Sequence, residues 1–255
     1  MLQPTLAQLD AYIISALKRL EADGGMTGKA CKIYTTFLKE WPRQLSLRDG
    51  FPFQCSPEET DYITRPNDAR VIYPMIVSAT RGSRCSHFID AFACVGGDTL
   101  AAMYYFPILN VHAIQIVSTG HEQERFERLR NNVATFNRIM STRQGSAQAY
   151  GTDIKSFLLA HSHIMNQSIL QLDPPWELGP LGSGISSLND MGLFLEEHVF
   201  SALRERSDRP LFIVLKLPQG SIETGEWRYL HLNYRLIRQV EPRGKFIVRV
   251  FGLNV

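Results

Sequence analysis

Asp173-Pro174-Pro175-Trp176 is the stretch with the clearest chemical content. It follows an apolar run, Ser168-Ile169-Leu170-Gln171-Leu172, which predicts a buried strand. The prolines fix φ and remove two backbone N–H donors, so the turn is stiff and its carbonyls point in set directions. The acid and those carbonyls can accept hydrogen bonds from an exocyclic –NH2. Trp176 offers a flat face to a heteroaromatic ring. Such a turn can hold a planar amine with its nitrogen free to attack an electrophile, which is what methylating a base amine requires. The plain alternative is a proline-rich turn after a strand, with Trp176 in the core. A cofactor site upstream would decide between them.

Asp90-Ala91-Phe92-Ala93-Cys94-Val95-Gly96-Gly97-Asp98-Thr99 has the form of such a site. It ends a predicted strand and opens an apolar helix, Leu100 to Tyr105. A strand, a glycine-bearing turn and a helix make a nucleotide-cofactor cradle, in which glycines let the backbone approach the ligand. In an open parallel sheet both turns lie along the carboxyl edge, where ligands bind. The Gly-x-x-x-x-Gly-Lys-Ser/Thr phosphate loop is missing, which argues against an NTPase.

The elements that must position these turns alternate from Ser86 onward. Strands are predicted near 87–92, 111–117, 147–150, 168–172 and 211–217. Helices are predicted near 122–136, 154–161 and 188–204, and the alternation implies βαβ units. Tyr234 to Val240 and Lys245 to Phe251 flank Glu241-Pro242-Arg243-Gly244, a hairpin turn. Upstream, Pro4 to Leu20 and Lys29 to Trp41 read as helices, giving an N-terminal helical extension over 1–45 and a main domain over 46–255. Ser56-Pro57-Glu58-Glu59 is a helix start. Asp61 to Ser83 is expected to be irregular, because Pro66 and Pro74 interrupt it.

The 255 residues, 44% hydrophobic and 20% charged, suit a folded α/β domain with an accessory segment. A net charge of +2 means that any nucleic-acid contact comes from a local patch. Four scattered cysteines favour a reducing intracellular compartment over a disulfide scaffold or zinc site. No apolar run reaches membrane-spanning length. Arg125, Arg128 and Arg130 interleaved with Glu122, Glu124 and Glu127 predict a salt-bridged helix face. His161 and His163 are expected to cap a helix or face solvent, not to bind metal. Trp227 to Arg238 is expected to pack as an edge strand, with an RNA path as the other reading.

These motifs resemble those of class I S-adenosylmethionine-dependent methyltransferases, most nearly the trimethylguanosine synthase family, which methylates the exocyclic amine of a 7-methylguanosine RNA cap. Leu47-Arg48-Asp49-Gly50-Phe51 with Ser56-Pro57-Glu58, the Asp90 to Thr99 loop, Arg130-Asn131-Asn132, Asp173 to Trp176 and Val214-Leu215-Lys216-Leu217-Pro218 carry the match. The resemblance implies a Rossmann-like fold: a mostly parallel seven-stranded sheet with an antiparallel last strand. It implies S-adenosyl-L-methionine as cofactor, held by Asp90, Phe92, Val95, Gly96, Gly97, Thr99, Gln115 and Asp153. Asp153 would take the adenine amine. Asp173, Pro174, Pro175 and Trp176 would form the catalytic turn, with Trp176 stacked on the cationic base. Arg48 or Lys216 would meet cap phosphates or stand as solvated charges. Capped RNA and a ribonucleoprotein partner would be its partners, no metal would be needed, and its place would be the nucleus, with a mitochondrial presequence left open.

Two positions depart from the family pattern. Cys94 replaces the first glycine of the cofactor loop, where its side chain would crowd the methionine moiety. Gln115-Ile116-Val117 stands where an acid normally clasps the ribose hydroxyls. Glu122 or Glu124 would substitute if the loop folds back; otherwise both are first-turn acids of the helix. Losing a charge-assisted ribose contact costs a few kcal/mol. The departures favour one alternative, a catalytically silent fold that binds RNA or protein; the other is an adenine-amine methyltransferase, since Asp173-Pro174-Pro175-Trp176 resembles the turn of such enzymes too.

Overall fold

The computed structural model describes residues 54–56, 59, 63–64, 66–118, 120–139, 144–174, 188–218, 228–242 and 246–254. The expected N-terminal extension, Arg48, Pro175, Trp176 and Trp227 lie outside them.

Strands β1 (His87–Asp90), β2 (Asn110–Gln115), β3 (Ala147–Gly151), β4 (Ser168–Leu172), β5 (Phe212–Pro218), β6 (Tyr234–Val240) and β7 (Phe246–Leu253) form one sheet, ordered β3-β2-β1-β4-β5-β7-β6. Neighbours from β3 to β5 are parallel, and β7 runs antiparallel to β5 and β6. This is the sheet that the sequence led us to expect. β6 is its edge, as expected for that segment.

Alternation along the strands sorts side chains to two faces. Phe88, Ile169 and Val214 join the core under α1 (Pro66–Ala79) and α2 (Gly97–Tyr105). Ile89, Leu170 and Ile213 join the opposite core with Phe157 and Leu158 of α4 (Ile154–Ala160). That core continues into α5 (Leu188–Leu195), a single wider turn (Glu196–Phe200), α6 (Ser201–Arg204) and α7 (Arg228–Asn233). The helix α3 (Gly120–Ile139) covers β2 and β3 through Leu129 and Val133. Every residue of β4 is buried, as befits the middle of a sheet covered on both faces.

α1 corrects the expectation of irregular chain over 61–83. Pro66 opens the helix, where a missing N–H is harmless. Pro74 lies inside and has no N–H to donate to the preceding turn, but it sits on the exposed face, where that loss costs least. On the other side Ala69, Ile72, Tyr73 and Ile76 are buried at helical spacing, and that packing outweighs the proline.

Candidate functional site

Strand order reverses between β1 and β4, because β1 leads outward through β2 to β3 while β4 leads to β5. Helices part to opposite faces there, and ligands bind in the resulting crevice at the carboxyl ends. Asp90 ends β1, and Asp173 follows β4. The sheet register sets Asp90 beside Gln171, two residues before Asp173.

Side-chain alternation makes this crevice polar on one face. Phe88 is followed two residues on by Asp90, Ile169 by Gln171 and then Asp173, and Val214 by Lys216. Each series starts in the apolar core and ends charged. Gln171, Asp90 and Lys216 are all buried, at 2%, 1% and 6% exposure.

A hydrogen-bonded network joins them. Lys216 Nζ donates to Asp173 Oδ2 at 2.5 Å and to Thr64 Oγ1 at 2.9 Å. Asp98 Oδ2 stands 3.7 Å from the same ammonium. Thr64 donates to Asp98 at 2.5 Å. Tyr73 Oη bonds Asp98 Oδ1 at 2.9 Å and Gln171 Oε1 at 3.2 Å. Lys216 is thus an interior charge, which corrects its reading as a solvated one. Burial opposes its proton, but the surrounding Asp173 and Asp98 carboxylates outweigh that and hold the ammonium charged. Burial pushes Asp173 up to about 6 despite the lysine.

Asp90 has a different environment. Thr99 donates to its Oδ2 at 2.6 Å, while Oδ1 is buried with no partner. Burial, and then Asp98, push its carboxyl up to about 8. An orphaned, buried acceptor at a ligand-binding edge fits an ammonium group such as the α-amine of S-adenosylmethionine.

The glycine turn is built differently from the expectation. Gly96 has φ +101° and caps α2, a conformation that glycine adopts freely. A Cβ on Gly97 would meet Ile63 Cγ2 at 2.6 Å and Thr64 N at 3.0 Å, so this glycine admits the chain's own 63–64 segment. Cys94, at φ +50°, has the left-handed backbone where a glycine was expected. Its thiol packs with Cys55 against the apolar core.

The other candidates fall as follows. Pro174 is buried next to Asp173. Val95 is buried, and its carbonyl accepts from Asn132 Nδ2 at 2.8 Å. Phe92 leans on Phe194, with ring centroids 5.7 Å apart. Gln115 is turned back on the chain, donating to the Ile116 carbonyl at 3.0 Å. Asp153 caps α4 by accepting from Ser156 N at 2.8 Å. Glu122 accepts from Ser118 N at 2.8 Å, the first-turn role that the sequence allowed it.

Thr64, Tyr73, Asp98 and Gln171 were not singled out in the sequence. A polar Gln171 inside a buried strand was the available signal. Glu59 is a further surprise. It is 1% exposed and clasped by Arg125 at 3.2 Å and Arg128 at 2.8 Å, so these arginines do more than pair along their own helix. Arg128 also meets Glu124, and Arg130 meets Glu127, as expected. Asn132 meanwhile accepts from Gln54 N at 2.6 Å. Together these contacts fasten Gln54 and Glu59 across the middle of α3.

No known family profile matches the chain, and no curated protein matches it. Solved structures with a similar chain path include the human methyltransferase 10 domain containing protein, at 12% identity and TM-score 0.48, over 74% of this chain and 82% of that one. The rRNA methyltransferase aviRa from Streptomyces viridochromogenes is similar at 10% identity and TM-score 0.48, over 84% and 91%. Precorrin-6y C5,15-methyltransferase from Geobacter metallireducens is similar at 12% identity and TM-score 0.43, over 76% and 90%. These are likenesses of chain path. The strand order and the reversed β7 give the Rossmann-like fold of class I methyltransferases. Among the described residues no three metal-ligating side chains converge, and no helix is long and apolar enough to cross a membrane.

Proposed function

We propose that this chain transfers a methyl group from S-adenosyl-L-methionine to the exocyclic amine of a nucleobase in RNA, with the guanine amine of a 7-methylguanosine cap as the first candidate. The convergence of Asp90 and Asp173 at the β1/β4 switch point carries the reading. Bound there, the cofactor would supply a methyl group on an already electrophilic sulfonium. Asp90 Oδ1 would accept from its α-amine, with the Gly96 turn alongside. Asp173 and the Pro174 carbonyl would orient the base amine, and Trp176 would stack on the base. Positioning and exclusion of water would supply most of the rate.

The test is calorimetry with S-adenosylmethionine on cofactor-free protein, followed by methylation of capped and uncapped RNA. Micromolar binding that Asp90→Ala abolishes supports the reading. No binding at millimolar cofactor refutes it. A cap enzyme prefers the cationic base, and Trp176→Ala removes that preference; equal use of capped and uncapped RNA by the wild type rejects the cap.

Gln115 favours a second reading. Its side chain is uncharged and committed to its own backbone, so no acid at the end of β2 clasps a ribose. A silent fold that binds RNA or protein predicts RNA retention without cofactor affinity.

A further inference from the structure

Lys216 sits where the resemblance suggested a phosphate contact, yet its ammonium is buried among acids of the chain itself. It is reached from four elements. Asp173 follows β4, Asp98 belongs to α2, Thr64 precedes α1, and Asp90 ends β1. Tyr73 of α1 faces the same group through Asp98. Phe246 of β7 places its ring 4.9 Å from the ammonium. A lysine enclosed in this way cannot swing out to a substrate. What it holds is one oxygen of Asp173, at 2.5 Å. Among the described residues this ammonium is the one cation hydrogen-bonded to the Asp173 carboxylate, and Asp98 is its other side-chain neighbour.

We propose that Lys216 is a positioning residue, whose ammonium fixes Asp173 by Oδ2 so that Oδ1 is presented, ionised, to the hydrogen of the incoming amine. Thr64 and Asp98 fix the lysine in turn, so the segment before α1 becomes part of the catalytic turn's support. The proposal rests on the amine-methylating reading above and names the device that orients its acceptor. An ionised acceptor suits a nucleophile that carries a donor hydrogen, as an amine does, and leaves the nitrogen lone pair free. A protonated Asp173 would offer a hydrogen to that lone pair and block it.

The clamp can be read without any substrate. In cofactor-free protein, carboxyl 13C NMR follows the titration of Asp173, with its signal assigned by its loss in Asp173→Asn. The wild-type midpoint lies near the value of about 6 set by burial against the lysine charge. Lys216→Met raises it by about 1–3 pH units, the usual effect of one adjacent charge. RNA methylation near neutral pH falls by roughly 10- to 100-fold and recovers as pH rises. An unmoved Asp173 midpoint, or a loss of activity with an unchanged pH profile, overturns the proposal. If Lys216→Met does not fold, Lys216→Gln, which keeps a hydrogen-bond donor but removes the charge and leaves Asp98 in place, is read in the same way. Failure of the wild type to bind S-adenosylmethionine sinks the functional reading, while the Asp173 titration still judges the clamp.

Discussion

Replacing Asp90 by asparagine should stabilise the cofactor-free chain in alkali and abolish its cofactor binding. The carboxyl is 1% exposed and receives the Thr99 hydroxyl, with the Phe92 backbone amide as a further donor. Asparagine has the same shape, can accept that hydroxyl and carries no charge. In the folded chain Asp90 keeps its proton up to about 8, against an ordinary value of 3.8. Between those values the folded chain binds more protons than the unfolded one. Stability therefore falls as pH rises through the window, and the penalty is complete above it. At about 1.36 kcal/mol per pH unit, a rise from 3.8 to about 8 sets a ceiling of about 5–6 kcal/mol. Local relaxation, and the coupling of Asp90 to the neighbouring carboxylates, leave an expected gain of about 1–2 kcal/mol. Urea unfolding at about pH 5 and about pH 8.5 should show the variant gaining mainly at the higher pH. Calorimetry on the same samples should show cofactor affinity lost. A variant no more stable than wild type at the higher pH, or a gain independent of pH, would refute the reasoning.

Glu59→Gln should destabilise the chain by about 2–3 kcal/mol, because Arg125 and Arg128 then lose the charge that holds them. A urea midpoint within error of wild type would show that the clasp contributes nothing. His112 contacts His87 at 3.0 Å and Tyr150 at 3.2 Å, and burial, followed by three neighbouring histidines, lowers its pKa to about 4. It is half-buried and held neutral, so it costs no stability above about 6.5; roughly 3 kcal/mol is lost as pH falls from 6.5 to about 4. His112→Leu should flatten that acid limb, and an unchanged limb would refute the assignment.

The sequence by itself determined the fold to a large extent. Apolar runs such as Ser168–Leu172 and Phe212–Pro218, separated by helical spacing, admit only a covered, mostly parallel sheet, and the Glu241-Pro242 turn sets the final hairpin. It also placed Asp90 and Asp173 on one edge, because each ends or follows a strand. Local pattern failed at Pro66–Ala79, where a proline rule was weighed without the core that buries Tyr73 and Ile76. Only the tertiary structure decided the state of Lys216. A lysine after an apolar run reads as solvated until β1, β4, α2 and the 63–64 segment are seen to enclose it. The same holds for Gly97, whose missing side chain makes room for Ile63 and Thr64. It holds too for Glu59, 66 residues from the Arg125 that clasps it. Whether a charge is buried, and what it pairs with, depends on contacts between distant segments, and local periodicity carries no information about those.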